Sequence, residues 1–476
     1  MNALNFLLGR PGDWHLRRPS LPRLRNLTSA LRPSIIGPLV VFITSVLSWP
    51  AFSGAQGDGN VALGLWVGSV SIMLMAWSFV LAVRPKWLEP VFGGLDSMYR
   101  VHRWAGALAI PTMWLHTSIE PEIDGGILGA ARGVADSAED LAGTGQTMLY
   151  ILVALSIFRL IPYRWWRWSH KLLGIPFAFA SWHFFTAEKT YANGSPWGWW
   201  FGAWMVIGLA TWLLRVVGID MIGRGRAYKV VAAEHSGTTT RLELAPTGKP
   251  LGQRLGQFAF MKLDVPGMRE PHPFTIASSP DNPNLEFMIR HLGDWSNRLP
   301  EHDLVGSTVR IEGPYGELEP LPHDAAPPVW IAGGVGCTPF LAAVDIDRDP
   351  SLPIPTMLYA VRSTENNLML DRLQNAADAG RINLHLFTPE TGRMTPSHLD
   401  TIFPNGMAGH HVALCGPAGL VRDMADGAYD RGARAIETED FDIRQGFGPD
   451  RSAEIDEAMR SLADRRENRS TESVSA

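Results

Sequence analysis

Cysteine is nearly absent: Cys337 and Cys415 are the only two in 476 residues, which excludes a disulfide-built scaffold and any metal site made from four thiolates. Charge is scarce and balanced, 19% of residues with a formal net charge of −5, so no basic excess points to nucleic acid. No acidic loop of the EF-hand type occurs, and with it goes any built-in calcium switch. The first 33 residues carry scattered Arg and Pro and no uninterrupted apolar core, so no cleavable leader is expected. The length is too great for one ordinary domain and predicts two or three folded units. A mean hydropathy near zero conceals two halves that differ sharply.

Tryptophan marks the division. Fifteen of the 18 lie between Ser34 and Val217, a stretch with apolar runs near 34–52, 61–83, 102–119, 144–161, 170–186 and 196–217. Each run is about long enough to cross ~30 Å of hydrocarbon at about 1.5 Å per residue, which predicts six membrane-spanning helices. A large water-soluble helical core is the competing reading, disfavoured by the short connections and by Trp at the run ends. Eighteen Lys and Arg between Arg10 and Lys229 fall in the N-terminal segment and alternate connections, whereas the opposite connections hold only Arg132 and Lys189. Cationic loops stay cytoplasmic. The N-terminus and everything after Val217 are therefore expected inside, in a multi-pass, lipid-embedded protein of the plasma (inner) membrane.

Ionisable groups at membrane depth are costly and usually functional. The segment from Ser34 to Val217 has four His: His102 and His116 on the third run, His170 and His183 on the fifth. These separations correspond to about 21 and 19.5 Å of helix rise. Two His levels on two helices can clamp two stacked haems, His102 with His170 at the inner level and His116 with His183 at the outer. At about 100° per residue the first pair returns to within about 40° of one face, but the second ends about 140° apart. The fifth helix is thus expected to bend or rewind, with Gly174 and Pro176 as agents. Hydrogen-bonded core histidines or a proton relay are the alternative reading.

From Tyr228 to about Pro322, short β-branched or alternating runs separated by Gly, Pro and Asp predict a small antiparallel barrel. Within it, His272-Pro273-Phe274-Thr275-Ile276-Ala277-Ser278-Ser279 precedes Met288-Ile289-Arg290-His291-Leu292-Gly293-Asp294-Trp295-Ser296. A strand end offering backbone groups and a Thr hydroxyl suits a flavin ring, and Arg290 suits a pyrophosphate; any barrel strand can also carry Thr and Arg. Next, Val329 to Ala332 runs into Gly333-Gly334-Val335-Gly336-Cys337-Thr338-Pro339. Thr338 is expected to cap a helix with Pro339 at its first position, where phosphate binds well, although the turn departs from the G-x-G-x-x-G pattern. Strand ends are also expected at Arg362 and at Cys415-Gly416-Pro417. Arg362 can meet a 2′-phosphate, favouring NADPH over NADH, or stand as a solvated loop arginine.

The four His, HPFTIASS, IRHLGDWS, GPYG at Gly313 to Gly316, GGVGCTPF, CGPAG and Phe441 together resemble the NADPH oxidase and ferric reductase transmembrane superfamily, as a bacterial single-chain flavocytochrome b, over roughly residues 34–444. The resemblance implies a cytoplasmic segment (1–33), a six-helix membrane haem domain (34–217), an antiparallel β-barrel FAD domain (226–323), an α/β Rossmann-like NAD(P)H domain (326–444) and a flexible charged tail (445–476). It implies two b-type haems on His102, His116, His170 and His183, and FAD on His272, Pro273, Phe274, Thr275, Ser278 and Arg290, with Gly293, Trp295 and Ser296 beside it. It further implies NADPH or NADH on Gly334, Gly336, Thr338, Pro339, Arg362, Cys415, Gly416 and Pro417. Thr275, Cys415 and a flavin-covering Phe441 would stand nearest the hydride transfer.

The implied enzyme passes electrons from cytoplasmic NAD(P)H through FAD and both haems to an outer acceptor, with Phe177 or Phe179 lining the gap between haem levels. Bis-His iron has no open position, so the acceptor is reduced at the haem edge. O2, giving superoxide, is the first acceptor expected and a ferric chelate the second. Animal oxidases of the superfamily carry a His where Glu120 stands and an Arg that the Asn60-Val61-Ala62-Leu63 start of the second run lacks, which weighs against efficient superoxide formation. Glu120, Glu122 and Asp124 can attract cationic metal species by their field or form a solvated loop. A membrane cytochrome serving a partner protein or quinone is the third reading. The fused reductase half disfavours it, and no obligate protein partner is expected.

Overall fold

The computed structural model describes residues 33–55, 60–119, 123–157, 163–223, 225–322 and 326–439. They form two compact units, a helical one followed by one built on two sheets.

The helical unit contains α1 (Pro33–Val46), α2 (Val61–Ala82), α3 (Leu95–Ile119), α4 (Arg132–Ile157), α5 (Tyr163–Lys171), α6 (Gly174–Thr186) and α7 (Pro196–Leu213), which runs on as a π-helix over Leu214–Gly223. Among the described residues three helices are long and apolar enough to cross a membrane: Val61–Ala82, Arg132–Ile157 and Pro196–Gly218. α3 and α4 begin earlier than their apolar runs, because the polar segments that hold Asp96 and Asp136 are already helical. α4 packs along α6 and α2 along α7. Small residues permit the second contact: a Cβ at Gly208 of α7 would stand 2.6 Å from the Phe177 ring and 3.2 Å from Ala76 Cα of α2. Phe177 is fully buried, its ring 5.2 Å from that of Phe79, so it is helix-packing core.

The expected bend in the fifth apolar run is a break. α5 ends at Lys171, and i→i+3 bonds carry the chain through it: Leu172 N to Ser169 O (3.1 Å), Leu173 N to His170 O (3.3 Å) and Ile175 N to Leu172 O (2.9 Å). Pro176, which has no N–H, follows. The Trp212 indole occupies the break, donating from Nε1 to Lys171 O (2.8 Å) and lying where a Cβ on Gly174 would come within 2.0 Å of it. Each residue at three per turn adds about 20° of rotation over an ideal helix, which returns part of the 140° mismatch between His170 and His183.

The second unit begins with the antiparallel strands β1 (Arg226–Ser236), β2 (Thr239–Pro246), β3 (Phe258–Leu263), β4 (His272–Thr275), β5 (Leu285–Arg290) and β6 (Thr308–Tyr315), ordered β4-β3-β6-β1-β2-β5. A bridge between Ile276 and Phe287 joins the two ends, closing the expected barrel around Tyr228, Leu242, Leu263, Phe287 and Ile311. β7 (Pro328–Gly333), α8 (Thr338–Val344), β8 (Thr356–Ala360), α9 (Leu368–Asp378), β9 (Asn383–Phe387), β10 (His411–Cys415), α10 (Ala418–Asp430) and β11 (Ala435–Glu439) follow. Their five strands make an all-parallel sheet ordered β9-β8-β7-β10-β11. The order reverses at β7, whose C-terminal end is therefore the switch point where open α/β sheets bind ligands.

Candidate functional site

In the helical unit, the His102 and His170 rings stand 5.9 Å apart, centroid to centroid. Two imidazoles holding one metal ion at about 2 Å from each nitrogen would have centroids about 6 Å apart. Both Nδ1 atoms are engaged elsewhere. His102 Nδ1 lies 2.9 Å from Ser78 Oγ and from Ser78 O, and His170 Nδ1 lies 2.9 Å from Ser156 Oγ. Each ring's other nitrogen, Nε2, is thereby left for a ligand, the usual arrangement around metal-binding His. Trp166 stacks on His170 at 5.2 Å and donates to Ser156 O.

The outer pair is held differently. His116 Nδ1 donates to Gly64 O (2.8 Å), and its ring fills a slot over Gly68, where a Cβ would approach Nδ1 to 2.7 Å. The buried Nδ1 of His183 has no hydrogen-bond partner among the described residues. The described residues contain no cluster of three or more His, Cys, Asp or Glu that would hold a bare metal ion. Paired imidazoles, three of them with an oriented Nδ1, fit haem, whose ring supplies the other four ligands. Ser78, Ser156, Gly64 and Gly68 escaped the sequence reading, because a lone Ser or Gly on an apolar helix carries no signal until its neighbour across the interface is known.

In the second unit, HPFT forms β4 on β3, with His272, Pro273 and Phe274 half-buried and Thr275 buried. His272 packs 4.8 Å from the Trp295 ring. Trp295 is barrel core, donating from Nε1 to Met268 O (3.1 Å). Ser278 Oγ accepts from Glu286 N, and Ser296 Oγ accepts from Leu292 N and Gly293 N; both tie the strand and loop that frame β4 and Arg290. Arg290 at the end of β5 reaches the other sheet, its Nη1 3.3 Å from where a Cβ on Gly334 would stand. Candidate flavin and nucleotide residues thus meet. Arg372 of α9 holds this junction by donating to Glu286 Oε1 (2.6 Å), to Ala277 O (3.1 Å) and to Asp345.

At the switch point the two Gly-rich turns interlock. A Cβ on Gly336 would meet Cys415 O at 2.4 Å and Gly416 Cα at 2.6 Å, and Gly334 takes φ +57°. Backbone alone fits here, which leaves N–H groups accessible for phosphate. The expected Thr338 cap is corrected: a 3-10 turn over Gly334–Cys337 precedes α8, and Thr338 Oγ1 donates back to Val335 O (2.9 Å) without accepting from the helix. Pro339 and Cys415 are buried, and Arg362 is exposed just beyond β8. Pro417 lies beside the Gly333 backbone. Cys337, the other thiol, is buried, and burial pushes it up to about 12. Phe441, Glu120 and Glu122 lie outside the described residues.

The architecture defines a class: a helical unit with apolar spans, joined to a reductase-type pairing of flavin barrel and parallel nucleotide-binding sheet. Family comparison is more particular. A "ferric reductase like transmembrane component" matches residues 67–181, and an "FAD-binding domain" matches 229–319; the chain is similar to such a component followed by such a domain. The first match includes His102, His116 and His170, the second His272 to Thr275 and Arg290. The ferredoxin–NAD(P)(+) reductase component of a Ralstonia naphthalene 1,2-dioxygenase/salicylate 5-hydroxylase system is 29% identical over 214 residues, 43% of this chain and 63% of its own. Ferric reduction oxidase 5 of Arabidopsis thaliana is 23% identical over 351 residues, 68% of this chain and 47% of its own. Dual oxidase 2 of Rattus norvegicus is 32% identical over 120 residues, 22% and 8% respectively. The chain spans under two thirds of the length of each.

Proposed function

We propose that the chain is an NAD(P)H-dependent flavocytochrome b oxidoreductase. It takes electrons from cytoplasmic NADPH and delivers them across the membrane to O2, releasing superoxide. The observation that carries this reading is the His102–His170 pair, 5.9 Å apart with both Nδ1 atoms turned to Ser78 and Ser156. His102 and His170 would hold the inner haem and His116 and His183 the outer, in a bundle whose six runs cross the membrane over residues 34–217. When bound, FAD takes up two electrons as a hydride and releases them singly to haem iron, which carries one at a time.

Each residue then has a physical task. Thr275 and the β4 backbone orient the flavin ring, and Arg290 neutralises its pyrophosphate from the barrel side. Gly334, Gly336 and the Cys415 to Pro417 turn admit the nicotinamide nucleotide's phosphates to the backbone. Arg362, exposed at the strand end, reads the 2′-phosphate. Ser78, Ser156 and Gly64 fix the imidazole orientations.

A ferric chelate as acceptor is the second reading. It is favoured by Glu120 in place of a second outer His and by the similarity to a ferric reduction oxidase along most of this chain. NADPH-driven reduction of cytochrome c by the purified, FAD-supplemented protein in detergent, with and without superoxide dismutase, separates them. Inhibition by the dismutase establishes O2 as acceptor; turnover that ignores it rejects O2 and supports direct delivery.

A further inference from the structure

The helix that carries His183 ends in a closed cap. Its last carbonyls are taken by three separate segments: Phe185 O accepts from Asn193 Nδ2 (2.8 Å), Thr186 O from Gly129 N (3.2 Å), and Phe184 O and Ala187 O from Lys189 Nζ (2.5 and 3.0 Å). Gly129 passes so close that a Cβ there would meet Phe185 O at 1.9 Å and Lys189 Nζ at 3.0 Å. Lys189 is 5% exposed, with its ammonium 5.0 Å from the Phe184 ring centroid. Among the described residues no carboxylate pairs with it. Burial lowers Lys189 to about 8, but the carbonyl dipoles of a helix C-terminus favour a cation, so at pH 7 it keeps most of its positive charge without a carboxylate to balance it. Lys189 Nζ is bonded to the carbonyl of Phe184, the residue that directly follows His183.

We propose that Lys189 sets the reduction potential of the outer redox site, a role that rests on the two-haem reading above. Reduction there adds one electron, moves no proton and breaks no bond, so a fixed neighbouring positive charge favours the reduced state directly. The unpartnered Nδ1 of His183 acts in the same direction, because a ligand that donates no hydrogen bond is the less electron-rich one. Lys189 is thus a positioning residue that favours passage of the electron from the inner to the outer site.

The test is a potentiometric titration of haem absorbance on the full chain in detergent, comparing the native protein with Lys189→Met, Lys189→Arg and Ile127→Glu. Ile127 is the directly opposed strand partner of Lys189 and is exposed, so a carboxylate there supplies a counter-ion and leaves the cap intact. Lys189→Met and Ile127→Glu are expected to shift the outer equilibrium at least tenfold toward the oxidised form, 59 mV for one electron. The inner site should stay unchanged and Lys189→Arg should stay close to native. Two retained haems with unmoved potentials overturn the proposal. If Lys189→Met loses the outer haem, Ile127→Glu decides: a shift supports the charge role, and none reduces Lys189 to a structural cap. A native chain that binds no haem ends the flavocytochrome reading itself.

Discussion

Alanine at Gly68 would place a methyl carbon 2.7 Å from His116 Nδ1 and 2.9 and 3.0 Å from two ring carbons. Such atoms rest at about 3.5–4.0 Å, so the imidazole must withdraw by about 1 Å. Its 2.8 Å bond to Gly64 O would then open past about 3.5 Å, beyond hydrogen-bonding range. Removing the hydrogen bond that orients a metal-binding His costs about 10- to 100-fold in affinity, about 1.4 to 2.7 kcal/mol. The helix itself would gain about 1 kcal/mol, because Ala is the better helix former. Haem loss would therefore report on the slot and not on a weakened α2. Haem per chain, read from the pyridine haemochrome spectrum with a redox titration, is expected to fall from two toward one, with NADPH-to-FAD reduction intact. Gly143→Ala, where a Cβ meets nothing within 4 Å, is the control and should keep both haems. Two haems and native potentials in Gly68→Ala would refute the idea that this slot holds His116.

Arg362→Ala should raise KM for NADPH and leave NADH unaffected; equal effects on the two remove the 2′-phosphate assignment. Neither thiol should react with iodoacetamide in the native protein at pH 7.5, because burial holds Cys337 near 12 as the protonated thiol and Cys415 is equally enclosed; mass spectrometry finding a labelled native cysteine contradicts this. Glu437 is pushed above its ordinary 4.5, first by burial, so its neutral form is the one the fold prefers. The stability it contributes is present below the unfolded value and is lost as pH rises through the folded one. Glu437→Gln, which keeps an acceptor for the Glu319 N–H bonded at 2.8 Å, should therefore raise Tm at pH 7 and not at pH 4; a lower Tm at pH 7 reverses the argument.

Patterns with a local cause were legible in the sequence. Alternation in YKVVAAEH and TTRLELA gave barrel strands because one face of each is buried, and the Gly-rich turn after Val329 to Ala332 fell at a strand end, as close backbone approach requires. Helix ends depart from the ends of the apolar runs, because helicity does not require apolarity. α4 starts at Arg132 and not near 144, since backbone hydrogen bonding continues through Asp136, Glu139 and Asp140 although lipid would not tolerate them. The cap at Thr338 does not form because Gly334, free to adopt φ +57°, lets the chain begin turning four residues early. The central place of β7 was not legible, because strand order depends on pairing between residues far apart in the chain.

The mismatch between His170 and His183 shows where local arithmetic stops. Thirteen residues on an ideal helix cannot present both rings to one partner, and Gly174 with Pro176 marked where the helix had to yield. What makes it yield is Trp212, a residue on another helix whose indole needs both the space over Gly174 and the carbonyl of Lys171. The same division runs through the site. Candidate ligands declare themselves by chemistry that lipid penalises, so four His among apolar runs stand out. The residues that hold three of them, Gly64, Gly68, Ser78 and Ser156, are small enough to admit an imidazole, and all but Gly68 offer it an oxygen. Those properties are ordinary on any membrane helix, and they acquire meaning only when the facing ring is known.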